Sequence, residues 1–505
     1  MYKFFTALAF FIISHQAVAQ ILPKEGSKLH YRLIGFSFPE VKNNSYTLQI
    51  ATGNYNTEDS FKKNISVSIN SKKNKIVAEV PSFGRQYTWR AVYRNNNSIV
   101  TEGNLNHFSI NTIPLVDSGN TRLRVIKSAE KYKDAYIFLD GTKTLYDMKG
   151  KPVWSLPDVD GVGAAPRDLK LTPQKTITFL LDNHAYEVNY NADILWKSPN
   201  DGKVSGKMGE GYNHEFTRLN NGHYMVLGKK QVLWELPPSI DSSVLNAPGE
   251  IVIYDSSSKK YYQKMELGTV IEYDTAGNVV WSWDPSEYLK GSDLYYRRTL
   301  EGLFDLDVHE NSFFFDEHAK TIYVSFRDVS RIIKIQYPQG NVLNSYGGAY
   351  KPGDREVEKS LFCHQHSCRR SKDGYLYLFN NNGCNSKEHP KVIMMKEPST
   401  PKDRLKKIWE YDCNVPGMDE KNPIDPVFMA GGNVLELPDH SIFTSMCVMY
   451  GNVFIVSPDK KILWNAISEI WVPAKKKWKV QANYRASIII NRKELEDLIW
   501  NEKQK

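Results

Sequence analysis

The sequence predicts an all-β protein, a small N-terminal β-sandwich followed by a six-bladed β-propeller. Three observations carry this expectation. Between Leu22 and Ile113, runs such as SYTLQIA, NISVSI, KIVAEV and QYTWRAVYR alternate with the two-residue period of a strand. Beyond Ile113-Pro114 a loose unit of strands recurs in six copies, at spacings of roughly 40 to 65 residues that suit the blades of a propeller. Helical periodicity is confined to Asn491–Glu502 at the C-terminus.

The elements follow in chain order. The opening MYKFFTALAFFIISHQAVAQ has a lysine, an apolar run from Phe4 to Ile13, and Ala17-Val18-Ala19 ahead of Gln20. That is the make-up of a signal peptide over residues 1–19, with an apolar run shorter than the roughly 20 residues of a membrane helix. The expectation is an exported protein, periplasmic or secreted, whose mature chain starts at Gln20. Residues 20–113 form the sandwich, in which Tyr87, Trp89, Ala91 and Tyr93 share one strand face, and this part resembles a fibronectin type III module.

Residues 114–505 form the propeller. Its clearest copies are TLYDMKGKPVWSL, AYEVNYNADILWKS, VIEYDTAGNVVWSW and VFIVSPDKKILWNA; IIKIQYPQGNVLNSYG lacks the Trp, and VIMMKEPSTPKDRLKKIWEY has a longer turn. A turn residue pair followed by Trp suits a tight hairpin whose ring packs between blades, so Trp154, Trp196, Trp281, Trp409 and Trp464 are expected in the core. Residues Lys229 to Gln263 read as an insertion in the third blade.

The net charge of +8 is spread along the chain, with patches at Lys72-Lys73 and Lys475 to Lys477. Nucleic-acid binding would want basic and aromatic residues clustered together, so no nucleic-acid partner is expected. A basic surface does favour anionic ligands. The five cysteines, at 363, 368, 384, 413 and 447, allow one or two disulfides with at least one thiol left over. Their pairing does not follow from spacing.

Propellers carry chemistry on loops around the channel, where each inner strand begins. Three such loops are unusually polar: GYNHEFTRLNNG with His214; LDVHENSFFFDEHAKTIYVSFRD with His309, Asn311, Ser312 and Arg327; and SLFCHQHSCRR with His364 and His366, its strand closed by Asn380 to Gly383. Zinc does not suit the last, because in an extended segment residues 364, 366 and 368 face one way while 363 and 365 face the other. No EF-hand loop, H-E-x-x-H, C-x-x-C, G-x-S-x-G, P-loop or Cys/Ser-x-Pro-x-Arg segment is present, and no metal or cofactor is called for. Histidine itself remains as the nucleophile. An imidazole beside an arginine fork and a second histidine suits transfer of a flat anionic group, phosphoryl or sulfuryl. The absence of magnesium-binding carboxylate clusters favours sulfuryl.

The ordered set of His309, Asn311 and Ser312, Arg327 in SFRD, then HQHS and FNNNG resembles the bacterial aryl-sulfate sulfotransferases over nearly the whole mature chain. The resemblance implies a β-sandwich on a six-bladed propeller, no nucleotide sulfate donor, and small-molecule partners: a phenolic sulfate and a phenol. It also implies ping-pong transfer through a sulfohistidine. By the same resemblance His366 is the nucleophile, His309 and Arg327 bind the sulfuryl group, and His214 binds it or exchanges a proton with the phenol. Asn311 orients His309 or a sulfuryl oxygen, while His364 departs from the family, an unusual neighbour of the nucleophile that is expected to serve substrate binding. Family members often form homodimers. Asn213 stands where many members have a second histidine, and FNNNG lacks their usual acidic residue. Two other readings compete: an exported propeller that binds a carbohydrate or protein, and a sulfate-ester hydrolase in which water replaces the phenol.

Overall fold

The computed structural model describes residues 21–501 except 43, 96–97, 114–118, 236–251, 290–307, 348–360, 383–387, 400–403, 419–429, 447 and 449. The signal-peptide reading, Gly383, Cys384, Cys447 and part of the proposed insertion lie outside the described residues. Two compact units divide the chain, Met1–Thr112 and Ile113–Lys505. No helix among the described residues is long and apolar enough to cross a membrane.

In the first unit a sheet pairs Ser27–Leu29, Asn106–Ile110, Gln86–Asn95, Ser45–Thr52 and Ile65–Ser71 in that order, with Ser98–Glu102 at the side of Gln86–Asn95, and Leu33–Ser37 pairs with Lys75–Glu79. Phe36 of the small sheet meets Trp89 of the large one edge-on at 5.1 Å. Tyr87, Trp89, Ala91 and Tyr93 are all buried, but so are Thr88, Arg90 and Val92 between them. The reason is a short helix, Glu58–Lys63, that the sequence reading did not expect. It lies over the back of this strand: Phe61 is fully buried, the Arg90 guanidinium sits 5.1 Å from its ring, and Arg90 pairs with Glu58 at 2.6 Å and Glu102 at 2.8 Å. Thr57 caps the helix, Glu58 and Asp59 fill its first turn, and Lys62 and Lys63 its last, which suits the helix dipole.

The second unit contains six sheets of at least four strands among the described residues. The innermost strands of blades 2 to 6 are Arg167–Leu171, Asn213–Arg218, Glu310–Asp316, His366–Arg370 and Asn433–Glu436. Blade 1 takes its innermost strand from the C-terminal end, where Ala486–Ile489 pairs antiparallel with Tyr136–Leu139. Each inner strand packs on the next, and Ala486–Ile489 also packs on Arg167–Leu171 and on blade 6. Asn433 closes the ring by exchanging hydrogen bonds of 2.8 and 3.0 Å with the backbone of Ala486. At the other end of the chain, Thr121–Lys127 adds to the outer strand Ile462–Val472 of blade 6. The proposed insertion is a continuation of blade 3: strands Tyr224–Glu235 and Lys260–Tyr273 run on beyond it with Val252–Asp255 at their side.

The recurring Trp fastens each blade to its successor. The indole N–H of Trp154 donates to Tyr190 O at 2.8 Å, Trp281 to Pro338 O at 2.7 Å, Trp409 to Pro458 O at 2.8 Å, and Trp464 to Met148 O at 3.1 Å. In each case the acceptor lies in the hairpin turn of the following blade, and for blade 6 that is blade 1. Trp196 instead stacks on Tyr224 of blade 3 at 3.9 Å. Blade 4, whose copy lacks the Trp, uses Tyr346 to donate to Glu397 of blade 5. Trp154, Trp196 and Trp464 are buried, whereas Trp281 and Trp409 are half-buried. The C-terminal helix Arg492–Ile499 is capped by Asn491, which accepts from Glu494 N at 3.0 Å, and buries Leu495, Leu498 and Ile499.

Candidate active site

Each of blades 2 to 5 slips register at the channel end of its inner strand: at Arg167/Lys170, Asn213/Phe216, Glu310/Ser312 and His366/Arg369. A bulge re-aims side chains that a regular pleat would send sideways. Left-handed backbone lies within these slips at Asp168 (φ 58°), His214 (54°) and Ser367 (53°), and just ahead of the strands at His309 (52°) and His364 (52°). For residues with a Cβ this conformation is uncommon and costs energy, so the surrounding packing must hold it in place. The three expected histidines do not occupy one equivalent position. His214 lies inside its bulge, His309 just before its strand, and His366 at the first position of its strand.

His366 is fully buried and held at both ring nitrogens. Nδ1 lies 2.7 Å from Asn381 Oδ1, and Nε2 receives the Gly431 N–H at 3.2 Å. Asn381 in turn donates its Nδ2 to Gly431 O at 2.9 Å, which fixes the direction of its amide. Nε2 faces a donor and Nδ1 faces an acceptor, so the proton is on Nδ1 and Nε2 is unprotonated, its lone pair accepting the Gly431 N–H. Burial, and then the Arg327 guanidinium, hold this imidazole well below the usual histidine range, while the Asn381 bond pulls the other way.

His214 and His309 lie 5.1 Å apart, ring to ring. His214 Nδ1 is 2.6 Å from the Tyr484 hydroxyl, and the Tyr484 ring also stands edge-on to His366 at 6.2 Å. Burial, and then the neighbouring His309 and Arg485, keep His214 well below the ordinary range. Burial also pushes the Tyr484 phenol up to about 12, so it keeps its proton. Arg327 donates to Asp328 at 2.9 Å, its backbone N–H is bound to His309 O at 2.9 Å, and its buried Nε meets no acceptor among the described residues. Neutral imidazoles and a guanidinium with a spare donor thus converge on one place.

The two other expected residues serve the frame around His366. Asn311 Nδ2 donates to Gln365 O at 2.7 Å, bracing the main chain before the nucleophile candidate. The His364 N–H donates to Ser330 Oγ at 3.3 Å, while Gln365 Nε2 reaches Ser325 Oγ at 3.0 Å and Phe326 O at 3.1 Å across the gap to blade 4. Cys363 is disulfide-bonded, to a partner outside the described residues, Cys368 is a free buried thiol, and Cys413 is buried.

Beneath the histidines a buried ionic cluster spans the axis. Arg485 Nη1 pairs with Glu215 at 2.7 Å and Asp168 at 2.9 Å, and its Nη2 donates to Asn311 O at 2.6 Å. Glu215 also binds Arg369 at 2.7 Å and Lys170 at 3.2 Å, and these cations hold its carboxyl well below the usual range against the pull of burial. Asp140 accepts the N–H groups of Tyr484 at 3.0 Å and Arg485 at 2.7 Å, and burial pushes it up to about 7.

Tyr484, Arg485, Asn381 and Gly431 were not picked out individually from the sequence. The first two sit in QANYRASIII, where the only usable signal is a polar pair just before the strand that closes blade 1. A separate hollow of about 510 Å³ opens between Asp316, His318, Arg370 and Lys372 at the other ends of the inner strands, and none of the four histidines lines it.

Among solved structures, a protein of unknown function from Bacteroides caccae is similar at 11% identity over 73% of this chain and 99% of its own, with a TM-score of 0.38. A periplasmic gluconolactonase from Pseudomonas aeruginosa is similar at 10% identity over 74% and 99%, with a TM-score of 0.30. Apo AztD from Citrobacter koseri is similar at 9% identity over 88% and 98%, with a TM-score of 0.29. No curated protein matches the chain. Residues 242–414 match the family model for arylsulfotransferase (ASST). That segment contains His309, Arg327 and His366, and it supports the arylsulfotransferase family for this chain.

Proposed function

We propose that this protein moves a sulfuryl group from a phenolic sulfate to a second phenol by way of a sulfohistidine at His366. The observation that carries the reading is the unprotonated Nε2 of a buried imidazole whose Nδ1 proton is fixed on Asn381. In the first half-reaction the Nε2 lone pair attacks sulfur and the sulfur–aryl oxygen bond breaks. The electron pair leaves with the aryl oxygen as a phenolate, which the His214 Nε2–H meets with a hydrogen bond and which takes its proton from solvent on release. Tyr484 supports that role: with its O–H donating to His214 Nδ1, the ring proton sits on Nε2, facing the site. His309 and the Arg327 fork hold sulfuryl oxygens as charge develops. The sulfated ring keeps its Nδ1 proton and is cationic, which makes it a good leaving group. In the second half-reaction an acceptor phenol that has given its proton to solvent, its oxygen held by the same Nε2–H, attacks sulfur; the nitrogen–sulfur bond breaks and its electron pair returns to His366 Nε2.

Purified mature protein with 4-nitrophenyl sulfate, with and without added phenol, tests this. Nitrophenol release that rises with phenol, together with phenyl sulfate as product, is expected; release indifferent to phenol would instead mean hydrolysis. A folded His366→Asn variant that kept the wild-type rate would remove the sulfohistidine.

A further inference from the structure

The donor on His366 Nε2 is a main-chain amide placed there at some cost. Gly431 has φ 76° and Gly432 φ 92°. A Cβ on Gly431 would lie 2.5 Å from Tyr484 O and 3.0 Å from Tyr484 Cδ2, and one on Gly432 would lie 2.5 Å from Phe379 Cδ1. The segment is pinned by Gly432 N to Tyr484 O at 2.9 Å and by Asn381 Nδ2 to Gly431 O at 2.9 Å. Only glycine allows the backbone this close in this conformation, and the result is an N–H aimed at the reactive lone pair.

A hydrogen bond to a nucleophile's lone pair aims the ring, but it must be given up when that pair goes to sulfur. Because the Gly431 nitrogen stands only 3.2 Å from Nε2, the imidazole must turn aside from it for sulfur to bond there, and the N–H is then left facing a sulfuryl oxygen. Resting on the reading of His366 as nucleophile, we propose that the Gly431 N–H passes from Nε2 to a sulfuryl oxygen as the nitrogen–sulfur bond forms, and acts as a preorganised oxyanion donor opposite Arg327. The same amide therefore serves two stages: it orients the imidazole at rest and stabilises charge during transfer.

Two measurements test this. Gly431→Ala strains a left-handed position and displaces the amide, so the burst of nitrophenol release should slow by roughly 10²- to 10³-fold, as for loss of an oxyanion-hole donor, with little change in KM. Because the new methyl also presses on Tyr484, the wild-type chain supplies the second readout. Labelling with ¹³C-carbonyl alanine and ¹⁵N-glycine selects two amides, those of Gly277 and Gly431. Sulfation of His366, verified by intact mass, should shift the Gly431 amide proton and leave Gly277 in place. An unmoved Gly431 amide in sulfated enzyme, or a Gly431→Ala burst at the wild-type rate, overturns the inference and leaves the sulfohistidine standing. A wild type that turns over without any sulfated intermediate removes the sulfohistidine and the inference together.

Discussion

Asn381 holds both the ring proton of His366 and the carbonyl of Gly431, so its replacement separates positioning from folding. Asn381→Ala removes the acceptor at 2.7 Å from Nδ1 and the donor at 2.9 Å from Gly431 O. Each hydrogen bond contributes about 0.5–1.5 kcal/mol net, and a buried polar group left unpaired costs about 1–3 kcal/mol. Stability should therefore fall by roughly 1–3 kcal/mol, a loss of about 2–4 °C in Tm for each kcal/mol in a large domain. The effect on rate should be larger than this suggests, because an imidazole free to move its proton to Nε2 has no lone pair to offer. A drop of about 10²-fold in the nitrophenol burst, worth ~2.7 kcal/mol at about 1.36 kcal/mol per decade, is the expectation. Asn381→Asp gives a different outcome. It keeps an acceptor at Nδ1 but adds a negative charge, which raises the pKa of His366 and moves the acid limb of the rate profile to higher pH. Burst kinetics from pH 5 to 8 on both variants, beside thermal unfolding, separate the two effects. A folded Asn381→Ala with the wild-type burst would refute the tautomer argument.

Three further outcomes follow from the same geometry. Both His366 and His214 are held below the ordinary histidine value of 6.5, so both are neutral above it and the acid limb of the wild-type rate profile should lie below pH 6.5. For the same reason the unfolded chain binds more protons there, and stability should decline as pH falls from about 6.5 toward the folded values; a midpoint of unfolding that rises on acidification would contradict this. Arg327→Lys keeps the charge but loses the fork and the unpartnered Nε, and should lower kcat/KM for the donor by at least about 10²-fold, where an unchanged value would exclude bidentate binding. Glu215→Leu takes one of two carboxylates from the buried Arg485, and the shared partner from the half-buried Arg369 and Lys170, and should cost roughly 3–5 kcal/mol by denaturant unfolding, where a cost below about 1 kcal/mol would mean water reaches the cluster.

The blade pattern was legible because each copy repeats a local requirement. A tight turn and an indole one strand later are both needed for a Trp such as Trp154 to reach the carbonyl of Tyr190 in the next turn. Even the copy without a Trp made physical sense once Tyr346 was found reaching Glu397. The histidines were legible for a related reason: His309, Arg327 and His366 fall in short polar openings of otherwise apolar strands. The helix Glu58–Lys63 was missed although its signals were present, a Thr cap, acids in the first turn and lysines in the last, because six residues are too few to show a period. Tyr484 and Arg485 could not be found locally. Tyr484 meets His214 from 270 residues away, and Arg485 meets Asp168 from 317, contacts created only by closure of the ring.

That closure has a meaning for a chain made from one end to the other. His214, His309, Arg327 and His366 are all synthesised before Tyr484, and Ala486–Ile489, the strand that completes blade 1, comes later still. A chain cut short by a premature stop or a C-terminal protease would carry every histidine of the site yet lack the phenol on His214 and the hub of the ionic cluster. The candidate site is thus complete only in a chain that has reached Ala486–Ile489 and closed the ring of blades.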